Sequence, residues 1–127
     1  MISIVTVGMN HRKYIKALYE SLYGEGMPNF DFEAVYVDNC STDGSVKFLR
    51  ENFPQVKVVV NTEPLGFGEN NNKGVMASTG DFIGIVNPDI VIPPHCLDVI
   101  IDVLSKCRNE IICPKLLNPD GTEQYPW

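Results

Sequence analysis

The sequence predicts an α/β protein: a doubly wound, mostly parallel sheet with helices on both faces. Three observations predict it. Short β-branched runs alternate five times with stretches of helical period along the 127 residues. The runs are apolar at successive positions, as strands covered on both faces should be. The polar residues Asn10, Asp38, Asn39, the Gly66 loop and Asp89 each follow such a run. Sheets of this kind bind ligands outside the carboxyl ends of their strands, near the point where strand order reverses. One edge of the sheet is therefore the candidate site.

The elements follow in order. Ile2 to Val7 (ISIVTV) is the first strand. A helix is expected over roughly His11 to Tyr23, with Tyr14, Ile15, Leu18 and Leu22 on one face and Gly24 and Gly26 to stop it. Phe32 to Val37 is a second strand ending at Asp38. Ser41-Thr42-Asp43-Gly44-Ser45 then supplies a turn and a helix start, with Ser41 and Asp43 as caps. Val56 to Val60 is a third strand. A glycine-rich loop leads into a helix that runs to about Ser78 and stops at Gly80. Phe82 to Val86 is the fourth strand. Pro93 and Pro94 suit the first turn of another helix, which places Leu97, Ile100, Ile101 and Leu104 inward. Ile111 to Cys113 begins a fifth strand, and the tail PKLLNPDGTEQYPW has turn residues without a period.

A chain of this length suits one domain, residues 1–127, whose core needs no disulfide. A net charge of −6 argues against nucleic acid as a partner. It leaves an anionic small molecule open, because backbone amides or a metal ion can supply a local positive field. The cysteines at 40, 96, 107 and 113 form no CxxC pair and match no zinc spacing. They read as small buried residues of a reduced, cytoplasmic protein. ISIVTVG is too short for a secretory signal core, and no apolar run approaches the roughly 20 residues of a transmembrane segment.

Three stretches carry the chemistry. In VDNCSTDGS, Asp38 and Asn39 stand at a strand mouth, where a carboxylate or amide can bond a ribose hydroxyl or a base edge. The bland reading is an Asx turn and helix cap; Asp43 and Ser41 fit it, and Asp38 is left without a local task. PLGFGENNNKG invites comparison with a dinucleotide fingerprint. GxGxxG would need glycine where Asn71 stands, and it should follow the first strand, so an NAD site is disfavoured. Asn70, Asn71 and Asn72 are poor helix formers, and a helix there needs another benefit. Amides near a strand mouth can bond a nucleotide or sugar, and Lys73 could neutralise phosphate if it is not simply a solvated lysine. In IGIVNPDIVIPP, Asp89 follows a strand and a proline that stiffens its backbone. One carboxylate with diphosphate oxygens and water is enough for Mg²⁺ or Mn²⁺. Locally, though, Asn-Pro-Asp favours a turn, and the triplet recurs as a turn at 118–120.

Taken together, five segments resemble family 2 glycosyltransferases, inverting nucleotide-sugar enzymes of GT-A fold, and most closely the rhamnosyltransferase-like branch. They are ISIVTVGMN, AVYVDNCSTDGS, NTEPLGFGENNNKG, STGDFIGIVNPDIVIPP and CPKLLNPDGTEQ, in family order over nearly the whole chain. The resemblance implies that Val7 to Asn10 and the Asp38–Asn39 pair flank the base and ribose of a nucleotide-diphospho-sugar. It implies that the Gly66 to Asn72 segment, with Gly66, Phe67 and Asn72 named from it, borders the donor pocket, and that Asn87 and Asp89 hold Mg²⁺ or Mn²⁺ where the family has its DxD motif.

Two departures from the family follow. Asn39 replaces the second acid after the second strand, and Asn87 the first acid of DxD. The amide of Asn39 can still accept a pyrimidine N–H. The family's catalytic base lies beyond the last segment matched here, so the chain resembles an N-terminal donor-binding part, apparently truncated at its C-terminus, and no catalytic residue is assigned. The implied reaction moves a sugar to a hydroxyl of a polysaccharide or lipid-linked glycan, in cell-wall or polysaccharide biosynthesis. The implied location is the cytoplasm, at the cytoplasmic face of a membrane for a longer chain. The alternative is a non-catalytic nucleotide-sugar-binding module. A nucleotide-sugar pyrophosphorylase would want a glycine-rich, arginine-containing loop after the first strand, which VGMNHRK does not supply.

Overall fold

The computed structural model describes residues 1–107 and 110–124. Its elements are β1 (Ile2–Gly8), α1 (Arg12–Leu22), β2 (Phe32–Asp38), α2 (Ser45–Asn52), β3 (Lys57–Val60), α3 (Phe67–Ala77), β4 (Phe82–Ile85) and α4 (Cys96–Lys106). All three strand pairs are parallel, in the order β3-β2-β1-β4. The chain steps outward from β1 through β2 to β3. It then crosses back by α3 and lays β4 on the other side of β1, so the order reverses between β1 and β4.

Side-chain alternation sorts the sheet into two faces. Ile2, Ile4, Ala34 and Tyr36 point to one, where they bury against Ile15, Leu18 and Leu22 of α1, Leu49 of α2 and Leu97 of α4. Val5 and Val37 point to the other, under α3. There Gly74 lets the helix backbone come down onto the sheet: a Cβ at that position would collide with Val5 Cγ1 and sit 3.3 Å from Val37 Cγ2. Helices on both faces are thus as expected from strands apolar at successive positions.

The end of the chain departs from expectation. Residues 110–113 take no regular structure and Ile111 is fully exposed, so no fifth strand forms there. β4 pairs only with β1, and a β-branched run without a hydrogen-bonded neighbour has no strand to be. The tail folds locally instead, with a bridge between Leu117 and Glu123 across a turn in which Asn118 O accepts Gly121 N. Pro93 and Pro94 also precede α4 rather than opening it. Pro93 O accepts Cys96 N in a turn, and His95, at φ 61°, hands the chain to the helix. No helix among the described residues is long and apolar enough to cross a membrane.

Candidate nucleotide-sugar site

The carboxyl ends of β1, β2 and β4 open onto a cleft of about 350 Å³. It lies at the β1/β4 reversal, where ligands of doubly wound sheets bind. Five residues singled out in the sequence line it together: Val7, Asn39, Phe67, Asn87 and Asp89. Four others, Asn10, Asp38, Gly66 and Asn72, do not reach its surface, and the fold gives the first three structural tasks.

Asn10 clamps two loops. It takes the left-handed backbone that Asn tolerates, at φ 58°. Its N–H donates to Ser41 Oγ at 2.9 Å and its Oδ1 accepts Thr42 N at 2.8 Å. Ser41 is therefore tied to the β1 loop and caps nothing. Asp43 does cap, and at two helices: Oδ1 accepts Ser45 N at the start of α2 and Oδ2 accepts Arg12 N at the start of α1. Burial opposes ionisation of Asp43, but the bonds from the Ser45 side chain, Arg12 and the Ser45 amide outweigh it and hold the carboxyl below its usual range.

Asp38 is buried directly behind the cleft wall. Its Oδ2 accepts Ser41 N at 3.0 Å, which is the local task not evident in the sequence, and its Oδ1 has no partner among the described residues. On the same face, one strand over, Gly8 is matched to Asp38 in register, and Tyr36 Oη sits where a Cβ at Gly8 would be. The Tyr36 hydroxyl is pushed well above its usual pKa, first by burial and then by the nearby charge of Asp38. Behind the cleft wall, therefore, a neutral phenol sits beside Asp38.

The cleft wall on the β2 side is held by an amide network. Asn39 mimics a strand partner of Leu65: its Oδ1 accepts Leu65 N at 2.8 Å and its Nδ2 donates to Leu65 O at 3.1 Å. Asn61 Nδ2 donates to both Asn39 Oδ1 (3.1 Å) and Asn70 Oδ1 (2.6 Å). Asn70 Nδ2 donates to the carbonyls of Leu65 and Gly66, each at 3.0 Å. Lys73 completes the set by donating to Asn61 Oδ1 at 2.9 Å, so its ammonium is neither solvated freely nor aimed into the cleft. A buried network bonded at all but one N–H is rigid, and this one fixes the loop that opens α3. It also explains an asparagine run inside a helix: Asn70 offsets its low propensity by anchoring that loop. Gly66, at the helix start, donates its N–H to Glu69 Oε2 at 3.1 Å. Asn72 is exposed and borders nothing in the cleft.

Opposite stands Asn87-Pro88-Asp89. It is a turn, since Asn87 O accepts Ile90 N at 3.3 Å, and it is also a cleft wall. The two readings of the triplet coincide. Pro88 is buried and fixes the backbone, while both polar side chains stand in solvent. Asp89 accepts no hydrogen bond from the described residues, and no three His, Cys, Asp or Glu among them are grouped to hold a metal ion. A Mg²⁺ or Mn²⁺ here would be held by Asp89, with Asn87 as a neutral oxygen ligand, and would take most of its shell from a ligand and water. That donor set fits a hard cation that arrives with phosphates.

His11 and Leu65 also line the cleft and were not singled out from the sequence, Met9 and Asn70 line it within the stretches Val7 to Asn10 and Gly66 to Asn72, and Asn61 braces it from behind. Asn61 was open to discovery by the strand-mouth rule, because it directly follows β3. His11 carried no such signal.

These features define an α/β domain of GT-A type. The chain matches the sequence profile of Glycosyl transferase family 2 over residues 3–126, and it belongs to that family. A solved structure of TarS from Staphylococcus aureus (residues 1–349) in complex with UDP-GlcNAc superposes with a TM-score of 0.73 at 28% identity, over 83% of this chain and 31% of that one. A mannosyltransferase from Pyrobaculum calidifontis in complex with GDP-Man and Mn²⁺ gives a TM-score of 0.63 at 25% identity, over 71% and 28%. In sequence, an N-acetylglucosaminyl-diphospho-decaprenol L-rhamnosyltransferase of Mycobacterium tuberculosis is 30% identical over 70% of this chain and 33% of its own length. The chain spans between 14% and 36% of the curated relatives it matches.

Proposed function

We propose that this chain binds a nucleotide-diphospho-sugar with Mg²⁺ or Mn²⁺, as the donor-binding part of an inverting glycosyltransferase. The acceptor is a hydroxyl of a polysaccharide or lipid-linked glycan, met at the cytoplasmic face of a membrane. One observation carries this reading. The cleft at the β1/β4 reversal sets the carboxylate of Asp89 opposite a rigid amide wall, and among the described residues no Lys or Arg lines it. A diphosphate cannot sit beside Asp89 unaided, so a divalent cation between them satisfies both. The complexes of the two structural relatives, with UDP-GlcNAc and with GDP-Man and Mn²⁺, support the same ligand class.

In this reading the residues divide the donor among them. Val7 and the Asn39 wall face the base, and Phe67, two-thirds exposed at the rim, covers it. Asn39 retains one N–H beyond those bound to its neighbours, and so reads an acceptor on the base edge. Asp38, buried behind that wall, acts in this reading through it, holding Ser41 N with one oxygen. Asp89 and Asn87 hold the cation against the diphosphate. The bound metal would stabilise the charge that develops on the departing nucleoside diphosphate.

A second reading, binding without turnover, is favoured by where the late acids lie. Asp120 accepts from Thr122 N and Oγ1 in its turn, and Glu123 pairs with Lys115. Neither is available to deprotonate an acceptor hydroxyl. Thermal-shift and calorimetric titrations with UDP-, GDP- and dTDP-sugars in Mn²⁺ test the binding. Comparing donor hydrolysis by residues 1–127 with that of a C-terminally longer chain separates the two readings. Binding here with turnover only in the longer chain is the expected result, and no binding of any nucleotide-sugar would overturn both.

A further inference from the structure

We propose that His11 is a specificity-determining residue that donates its Nε2–H to an anionic diphosphate oxygen, selecting nucleoside diphosphates over nucleosides. This deepens the nucleotide-sugar reading and rests on it.

The ring's tautomer is set before any ligand arrives. Met9 N donates to His11 Nδ1 at 2.9 Å, which places the neutral ring's proton on Nε2. The bond ties one edge of the imidazole to its own loop and leaves the other edge as a donor on a residue that lines the cleft. β1 is flanked by β2 and β4, so its loop lies between the amide wall and Asp89. That is the middle of a ligand whose base meets the first and whose metal meets the second.

Competing donors are engaged elsewhere. Arg12 lies with its Cζ 3.5 Å from the centroid of the Phe48 ring, and Lys13 Nζ lies 4.6 Å from that of Tyr14. Lys73 is bonded to Asn61, and both N–H groups of Asn70 go to backbone carbonyls. Asn87 is exposed beside Asp89 and is occupied with the cation in this scheme. With the spare N–H of Asn39 given to the base and Asn87 set at the cation, His11 is the donor among the described residues placed at the middle of the ligand, where it meets phosphate directly. A hydrogen bond to an ionised oxygen is about twice as strong as a neutral one.

Two variants separate this role from support of the loop. His11→Asn keeps an acceptor for Met9 N and loses the distal donor; His11→Gln returns an N–H near the Nε2 position. UDP, GDP and their nucleosides are titrated with Mn²⁺, by calorimetry for the diphosphates and by NMR for the nucleosides. His11→Asn should weaken the preferred diphosphate about tenfold, the loss of one charge-assisted hydrogen bond, with nucleoside affinity unchanged. His11→Gln should recover part of the loss. Equal weakening of nucleoside and diphosphate, an unchanged diphosphate affinity, or a Gln variant as weak as Asn would each overturn the assignment while the donor reading stood. Failure of the wild type to bind either diphosphate would overturn the donor reading and this inference with it.

Discussion

Two carboxylates at opposite ends of the sheet show what separates a structural acid from a site. Glu33 lies at the amino end of β2, where its Oε1 accepts from Ser3 Oγ at 2.6 Å, from Thr79 N and Oγ1, and from Gly80 N. Asp89 lies at the carboxyl end of β4 and accepts from none of the described residues. Burial works against ionised Glu33, yet the bonds from Ser3, Thr79 and Gly80 outweigh it and hold its carboxyl below the usual range. Glu33 clasps β1, β2 and the turn into β4 together through Oε1, which is filled from within. Asp89 is equally well anchored, by Pro88, but its acceptor capacity faces out. The difference lies in which end of the strands delivers loops that converge and which delivers a groove.

The largest expected effect is at the open end. Asp89→Asn should abolish Mn²⁺-dependent binding of nucleoside diphosphate. As an exposed substitution it should change stability by no more than about 0.5 kcal/mol. Calorimetry with and without Mn²⁺, beside a melting curve, checks both halves. Unaltered affinity in Mn²⁺ would remove the metal assignment.

Next comes the wall between the two ends. Asn61→Ala leaves Asn39 and Asn70 short of a donor and Lys73 without its acceptor, which should cost about 1–3 kcal/mol in chemical denaturation. Nucleotide affinity should fall as well, because the Leu65–Gly66 loop loses its brace. Loss of stability with full affinity would show that the wall is scaffold only. Gly74→Ala tests the opposite face, where overpacking against Val5 and Val37 should cost about 1–3 kcal/mol without a change in ligand preference.

The smallest effect is at the closed end and depends on pH. The folded pKa of Glu33 is depressed, so on acidification the unfolded chain takes up its proton first. The stability contributed by the clasp is therefore present above the ordinary glutamate pKa and is lost as pH falls through the lower, folded value. Glu33→Gln should flatten that part of the urea-unfolding profile and leave nucleotide affinity unchanged. A profile identical to wild type would mean that the clasp adds nothing.

Much of the fold was legible because it rests on local chemistry. The four strands and four helices fall within a few residues of where apolar period, Gly24, Gly44 and Gly80 place them. Asp43 was recognisable as a cap from its spacing to Ser45, although its second helix, α1, lies 31 residues away in the chain. The supposed fifth strand at Ile111–Cys113 was misread because a β-branched run looks the same with or without a partner. Ser41 was misread for a similar reason: a hydroxyl near a helix start suits a cap, and only the approach of Asn10 from β1 diverts it.

The candidate site divides along the same line. Asn39, Asn87 and Asp89 could be named from their places after apolar runs, because a parallel sheet carries every strand mouth to one edge. Sequence alone determined that edge, the alternation of elements and the family. Tertiary structure decided which polar groups remain available there. Asn10, Asn70 and Lys73 have the chemistry of ligand contacts, but Ser41 and Thr42 occupy the first and the Asn61 network the other two, whereas His11 and Asp89 are held at one side and left open at the other. Hydrogen-bonding capacity is a property of the residue; whether it is already satisfied depends on what the fold brings within about 3 Å.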